Sequence, residues 1–520
     1  MEIDCNLLTE KELKDFIEDY AKAAGTVLKA GGDMVLIHGA HCQLPALLFS
    51  KVFNKRTDQY GPQSFENRCR FAVEILEAIR EEVGNRLAIE YRISAIDMVP
   101  GSPDIEEVIE FAKVIHGKID ILHVSRGNLA INKLTPYILP PTYMDHNINI
   151  EYASQFKKAL DIPISVVGAV TLEEADRAIA EGKIDLVALG RQLLADPETA
   201  IKLERGQEES IRPCIRGNTC ISRSHFGMKP PRCSVNPILG REIDYGYVPA
   251  PKVQKKVVVV GGGLAGLEAA RTSAERGHSV ILFENSDQLG GLICEASSAP
   301  FKTDLRKYLD WSVRMAQRYN NIDIRLSTEA TPELIVKENV DALIIAVGAE
   351  PNIPRLTCKD KSKVIWVADI EKENIDIGSK ILIVGAGLTG CEAALKYLLV
   401  GKNVTLIDAL PREQLGLGSS PINAYYLFDI LEKHNVDLRP DTWLIDVIDD
   451  HVVIKKDGRK ENLEFDNIIL ASGMKANADS EKIRRLKETV LESYVIGDSN
   501  TSQGTLWNAV TSGFDAAMAL

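Results

Sequence analysis

No stretch of this 520-residue chain approaches the roughly 20 consecutive apolar residues that span a bilayer, so a membrane-spanning protein is not expected. The N-terminus, MEIDCNLLTEKELKDF, lacks the basic residues and apolar core of a secretion signal, and a cytoplasmic location is expected. Basic charge is in deficit as well. With 61 Lys and Arg against 74 Asp and Glu, the formal net charge of −13 opposes an electrostatic footprint for nucleic acid and leaves small molecules as the expected partners. The nine cysteines are an odd set in a long chain without an export signal, which excludes a disulfide framework as the organising device.

What is present points to several α/β domains. The length exceeds one ordinary core, so two or three domains are expected. Up to about residue 240, short Val- and Ile-rich runs alternate with amphipathic stretches, the pattern of βα units around a parallel sheet. Strands are predicted at Met34–His38, Leu87–Arg92, Ile119–Ser125, Ile164–Gly168 and Ile184–Gly190. Capping boxes, Thr9 with Glu12 and Thr171 with Glu174, mark helix starts. Five such units fall short of a closed (β/α)8 barrel, which needs eight strands and about 250 residues.

Residues 241–255, with Pro249, Ala250, Pro251 and Lys252, read as a linker. Beyond it one pattern occurs twice, KKVVVVGGGLAGLEAARTSAERGHSVILFE from Lys255 to Glu284 and SKILIVGAGLTGCEAALKYLLVGKNVTLID from Ser379 to Asp408. Gly261, Gly263 and Gly266 form the first G-x-G-x-x-G; Gly385, Gly387 and Gly390 form the second. In each, the first glycine allows a tight turn, the second lets backbone approach a pyrophosphate at a positive helix end, and the third lets helix pack on sheet. Glu284 and Asp408 follow the last glycine by 18 residues, close to the roughly 20 expected of an acid that binds ribose hydroxyls. One such glycine loop fits a tight turn in any α/β protein equally well. Two complete units, each with its acid, point to two Rossmann-like dinucleotide-binding domains.

The stretch IHGAHCQLPALLFSKVFNKRTDQYGPQSFENRCRF, Ile37–Phe71, resembles the fourth strand and following loop of the Old Yellow Enzyme group, which includes 2,4-dienoyl-CoA reductase, enoate reductases and trimethylamine dehydrogenase; the NKRTDQYG and ENR elements are specific to it. The resemblance runs from about residue 9 to the end. It implies a partial FMN-type barrel over 1–240, an FAD-binding domain over 255–370 and 480–520, and an NADH-binding domain inserted at 371–479. The late pair Gly497 and Asp498, in VIGDSN, then matches the motif that returns to the FAD ribityl chain. Asp408 would repel a 2′-phosphate, which favours NADH over NADPH, although Arg412 stands nearby in sequence.

His38 and His41 close a barrel strand, on the catalytic face of such folds, where imidazoles can donate hydrogen bonds to a substrate carbonyl. By spacing alone they fit satisfied core histidines as well. The resemblance assigns them to the substrate oxygen, Arg92 to the flavin N1 and C2 oxygen, and Gly168, Gly190 and Arg191 to the FMN phosphate. Trimethylamine dehydrogenase carries a tyrosine in the place of His38, so amine oxidation is not expected. Read by themselves, Cys214, Cys220 and Cys233 fit a zinc site or isolated thiols equally; the resemblance makes the 214–237 segment a 4Fe-4S site.

Three departures accompany the match. Gln43 stands where relatives carry a proton-donating tyrosine, and an amide is no general acid. Gly217 stands where the fourth cluster cysteine belongs, so an incomplete cluster is expected. The strands that relatives place before Met34 are missing, which implies a fragment, a degenerate barrel or a partner chain, with a homo-oligomer also open. The expected activity is NADH-dependent reduction of an enoate or of an enoyl or dienoyl thioester through FAD, an iron-sulfur cluster and FMN. The alternative is a diaphorase-like NADH:acceptor oxidoreductase that uses the FAD half alone.

Overall fold

A computed structural model describes residues 4–246, 248–358, 361–416, 420–448, 451–501 and 504–520. Two compact units emerge, Met1–Gly190 and Arg191–Leu520. The first is built on β1 (Met34–Gly39), β2 (Ala88–Ser94), β3 (Ile121–Ser125), β4 (Ile164–Val166) and β5 (Leu186–Val187). These pair in chain order as one parallel sheet. All five strands lie where the sequence puts them, with β4 and β5 shorter at both the predicted glycine ends. The helix Glu10–Lys29 opens with the full capping box, Thr9 and Glu12 each accepting from the other's backbone. The second box is half made: Thr171 accepts from Glu174, whose carboxylate turns to Arg177 instead.

The two faces of this sheet differ in chemistry. One face carries Ile37, Ile89, Tyr91, Ile93, Leu122, Val124, Ile164 and Val166, packed with Phe71, Ile75, Leu76 and Phe111 of the helices Phe65–Val83 and Ile105–Ile115. On the other face the register aligns His38, Arg92, His123 and Ser165 in one row across four strands. Among the described residues β1 and β5 do not pair with each other, and Met34, Leu36 and Leu186 on these edges are 44%, 43% and 42% exposed.

The second unit starts with the segment that holds the three cysteines and continues into β6 (Lys256–Val260), β7 (Ser279–Phe283), β8 (Ile322–Arg325) and β9 (Ala342–Ile345). Next come the two-residue β10 (Glu350–Pro351), then β11 (Val364–Trp366), β12 (Lys380–Val384), β13 (Asn403–Ile407) and β14 (Asp437–Arg439). An antiparallel trio follows, β15 (Thr442–Ile448), β16 (His451–Lys456) and β17 (Arg459–Glu464), and the chain closes through β18 (Asn467–Leu470), β19 (Met474–Lys475) and β20 (Glu492–Val495). The parallel sheets have the orders β20-β9-β6-β7-β8 and β11-β18-β12-β13-β14. The last strand therefore returns to the first sheet, and β10 pairs β19 where the chain crosses between them. Strands such as KVVVV and KILIV are nearly continuous apolar runs because helices cover both faces of a parallel sheet. The stretch read as a linker is partly ordered: Glu242–Tyr245 is helical, Arg241 pairs with Asp515, and Tyr247 lies outside the described residues.

Candidate functional site

In the first unit the loops that follow β1, β2 and β3 converge on a group of buried polar side chains. His41 sits at φ 54 and Cys42 at φ 62, a left-handed turn that folds the chain back over the strand end. His41 is 2% exposed and its Nε2 lies 2.9 Å from the Ser125 hydroxyl. That hydroxyl accepts from Arg92 Nη2 at 3.1 Å, so it can pass its own proton to His41. The rings of His38 and His41 meet edge to face, centroids 5.1 Å apart. Burial, and next the charge of Arg92, lower His38 from 6.5 to about 4 and His41 to about 2. Both imidazoles are therefore neutral at pH 7.

His38 Nδ1, Arg92 Nε and His123 Nε2 are buried atoms without a hydrogen-bond partner. Buried polar groups are rarely left so, and these three belong to the single row that the register defines. His123 Nδ1 lies 2.9 Å from Glu90 Oε1, a buried pair that sequence reasoning missed although the alternation of EYRIS and ILHVS puts both side chains on the polar face. Gly168 has φ 124, and a Cβ there would strike the Asn149 side chain, whereas nothing lies within 4 Å of a Cβ placed on Gly190. A polar row with three unmet buried atoms fits a group that brings its own donors and acceptors, as a flavin ring does.

In the second unit the glycine loops have the geometry their spacing implies. Gly261 and Gly385 take φ 103 and φ 106, and a Cβ on Gly266 or Gly390 would strike the carbonyl oxygen of the first glycine of its own loop. Gly263 and Gly387 cap the helices Leu264–Glu275 and Leu388–Leu399; a Cβ on Gly263 would meet only Gly290 O, at 4.0 Å, and one on Gly387 nothing, which leaves room for close approach of a pyrophosphate. Glu284 Oε2 accepts from Gly262 N at 2.6 Å and Asp408 Oδ2 from Ala386 N at 2.6 Å, so each acid also shapes its loop. A Cβ on Gly497 would approach Ala265 to 2.9 Å, which puts the Gly497–Asp498 turn beside the first glycine helix. Asp498 is tied to Gly504 N at 3.1 Å. Arg412 is paired with Glu432 at 2.9 Å and stacks on Phe428.

Cys214, Cys220 and Cys233 are largely buried, burial pushes all three thiols up, and each feels the charge of another. Arg191 lies beside Cys214 and Cys220 and donates to Asn218 Oδ1 at 2.6 Å. Its hydrogen bond to this segment is a setting the phosphate assignment did not foresee. Gly217 contributes no ligand, although a Cβ there would meet only Ile215, at 3.5 and 3.7 Å. Among the described residues, no group of three or more His, Cys, Asp or Glu is arranged to hold a metal ion. With Gly217 at the fourth position, the segment offers three cysteine thiols, one short of a fully protein-ligated four-iron cluster.

Residues 2–210 match the profile of the NADH:flavin oxidoreductase / NADH oxidase family, and residues 255–492 that of pyridine nucleotide-disulphide oxidoreductases. An NADH oxidase of Thermoanaerobacter brockii is 34% identical over 98% of this chain and 78% of its own length. The chain belongs to the NADH:flavin oxidoreductase / NADH oxidase family. As a member it joins an FMN-type domain to a pyridine-nucleotide domain in an α/β fold, and it is an oxidoreductase. A cinnamate reductase of Clostridium sporogenes is 31% identical over 99% of the chain and 78% of its own length. The solved structure of 2-naphthoyl-CoA reductase in complex with 2-naphthoyl-CoA is 28% identical, with a TM-score of 0.92 over 99% of the chain and 77% of that protein. Among the described residues, no helix is long and apolar enough to cross a membrane.

Proposed function

We propose that this family member is an NADH-dependent flavoprotein reductase of an activated C=C bond, an enoate or an enoyl or dienoyl thioester. The observation that carries the reading is His38, a neutral imidazole at the end of β1 whose buried Nδ1 has no partner in the protein. Similarity to a cinnamate reductase and a 2-naphthoyl-CoA reductase supports it.

FMN, when bound, supplies hydride chemistry at the polar row, and FAD and NADH supply the electrons. The protein's part is positional and electrostatic. His38 donates a hydrogen bond to the substrate carbonyl and stabilises the charge that grows there as the β-carbon is reduced. His41, engaged by Ser125, holds His38 from the side. Arg92 keeps a positive charge beside the flavin pyrimidine ring, oriented by Ser125. Gly168, Gly190 and Arg191 are proposed at the FMN phosphate. Gly261, Gly263, Gly266, Glu284, Gly497 and Asp498 are proposed to hold FAD, and Gly385, Gly387, Gly390 and Asp408 to hold NADH. The proposed domain limits remain 1–240, 255–370 with 480–520, and 371–479. The open edges of β1 and β5 suit a second copy or a second chain, and the setting proposed is the cytoplasm.

A second reading, an NADH:acceptor oxidoreductase that uses the FAD half alone, is favoured by Gly217 and by the open five-stranded sheet. Cofactor analysis of purified protein separates the two: FMN and FAD together support the alkene reductase, FAD alone the diaphorase. The three thiols are proposed to hold an incomplete, labile iron-sulfur centre. Gly217→Cys, which the open space at that position accepts, should raise iron after anaerobic reconstitution toward four per chain. A full, stable four-iron centre already in the parent would show that another group serves as the fourth ligand.

A further inference from the structure

Reduction of a C=C bond needs a proton at the α-carbon as well as hydride at the β-carbon, and Gln43 cannot act as the acid. In the structure Gln43 is exposed and caps the helix Leu44–Phe49 with its backbone. The loops around His41 hold a different carboxyl group. Asp97 follows β2, just before Met98 at φ 63, a left-handed residue that bends the loop over the strand ends. Its Oδ1 is buried without a hydrogen-bond partner, and so is Nδ2 of Asn128, which is 0% exposed. The Asn128 amide is fixed by its other end: Oδ1 accepts from the Cys42 thiol and from Ala130 N, both at 2.9 Å. Ser94 joins this group to the histidines, since its hydroxyl accepts from His41 N at 3.4 Å and donates to Gly127 O at 3.2 Å.

Asp97 has an unmet acceptor and Asn128 an unmet donor in one buried cluster, and buried polar groups are rarely left so. The cluster shares Ser94 with His41, so it stands beside the proposed carbonyl site. We propose that Asp97 is the proton donor for the α-carbon, with the Asn128 amide beside its carboxyl group. This rests on the alkene-reductase reading. A bound, reduced flavin would supply the hydride for the new bond at the β-carbon. The π electrons of the alkene then form a C–H bond at the α-carbon, the Asp97 O–H bond breaks, and the carboxylate left behind recovers a proton from solvent. Burial raises the Asp97 carboxyl from 3.8 to about 6, against the lowering influence of the nearby Ser94 and Asn128 side chains, so its protonated form is available near neutral pH. The neighbouring titratable group from the loop after β1 is the Cys42 thiol, itself pushed up by burial.

The test uses Asp97→Asn, which keeps size and polarity but has no acidic proton. FMN-loaded protein is assayed with an enoate and with a nitroalkene, whose hydride adduct is a stable nitronate that needs no proton from the enzyme. General-acid loss should slow enoate reduction by about 10²–10⁴-fold and leave nitroalkene consumption close to wild type. Infrared difference spectra should show a protonated-carboxyl band that titrates near pH 6 in the wild type and is absent from Asp97→Asn. Equal rates of both proteins on the enoate, or equal loss on both substrates, would overturn the assignment. Wild-type protein that oxidises NADH with a dye but reduces neither alkene would instead overturn the reductase reading on which it rests.

Discussion

The two halves of this protein solve the same problem, placing polar groups for a flavin or a nicotinamide, by opposite means. In the second unit the glycine loops satisfy themselves: each acid accepts from its own loop, and the missing Cβ atoms leave backbone in contact with backbone. In the first unit the side chains carry the site, and several of them are left without partners. A self-satisfied loop keeps its shape without the nucleotide. A row of orphaned buried atoms depends on what it binds, because each unmet polar group costs about 1–3 kcal/mol until it finds a partner.

The comparison breaks most sharply at the histidines. His38→Ala combined with His41→Ala should abolish measurable alkene reduction, since removal of a single oxyanion donor already costs about 10²–10³ in kcat. NADH-driven reduction of an artificial dye should survive, because it uses only the second unit's loops. Parallel assays of the two activities check this, and equal loss of both would point to folding. The converse experiment is Gly266→Ala. Its methyl would strike the Gly261 carbonyl oxygen, at a cost above the roughly 1–3 kcal/mol of ordinary overpacking. FAD content and thermal stability should both fall, whereas Gly387→Ala, which meets open space, should leave the fold intact and weaken only NADH binding.

A smaller effect distinguishes the units by pH. Folded His38 and His41 titrate at about 4 and about 2, below their ordinary 6.5, so the stability they contribute is present above pH 6.5 and is lost as pH falls through 4 and beyond. Asp97 has the opposite sign: its folded value is raised from 3.8 to about 6, and stability is lost as pH rises through that window. With two histidines against one carboxyl, the first unit should loosen as pH drops from 6.5 to 4. Hydrogen exchange at β1–β3 checks this against β6 and β12 as internal controls. Exchange in β1–β3 that stays flat across the window would show that burial of the histidines does not govern the unit's stability.

These differences also mark what the sequence could reveal. Gly261, Gly263, Gly266 and Glu284 act within one strand-turn-helix-strand unit, so their spacing encodes their geometry, as it does for Gly385 to Asp408. His38 and Arg92 were legible through the motif, but their alignment with His123 and the pairing of His123 with Glu90 depend on strand register, which no local pattern states. Asp97 was missed for the same reason. It lies in an ordinary loop, and only Ser94 at the end of β2 and Asn128 from beyond β3 set it apart. The tie between Arg191 and Asn218, 27 positions apart, was equally hidden, because glycine loops announce themselves and side-chain clusters do not.

The smallest expected effect concerns the nicotinamide choice. Asp408 Oδ2 accepts from Ala386 N and Oδ1 from Leu410 N at 2.8 Å, so the residue shapes the loop and presents negative charge where the ribose hydroxyls would lie. Asp408→Ser should weaken NADH and relax discrimination against NADPH by roughly tenfold, about 1.4 kcal/mol. Arg412 decides how far the change goes. Its contacts are an exposed pair with Glu432 and a stack on Phe428, and exposed pairs contribute little, so its guanidinium should turn toward a 2′-phosphate once the Asp408 charge is gone. Asp408→Ser with Arg412→Ala should therefore lose the NADPH gain while keeping the NADH defect. Asp408→Asn separates charge from shape, because the amide oxygen can still accept from Ala386 N. Stopped-flow reduction of bound FAD by each nucleotide reads all three variants. Unchanged NADH and NADPH rates in Asp408→Ser would show that the ribose is bound elsewhere and that this carboxylate serves only the turn.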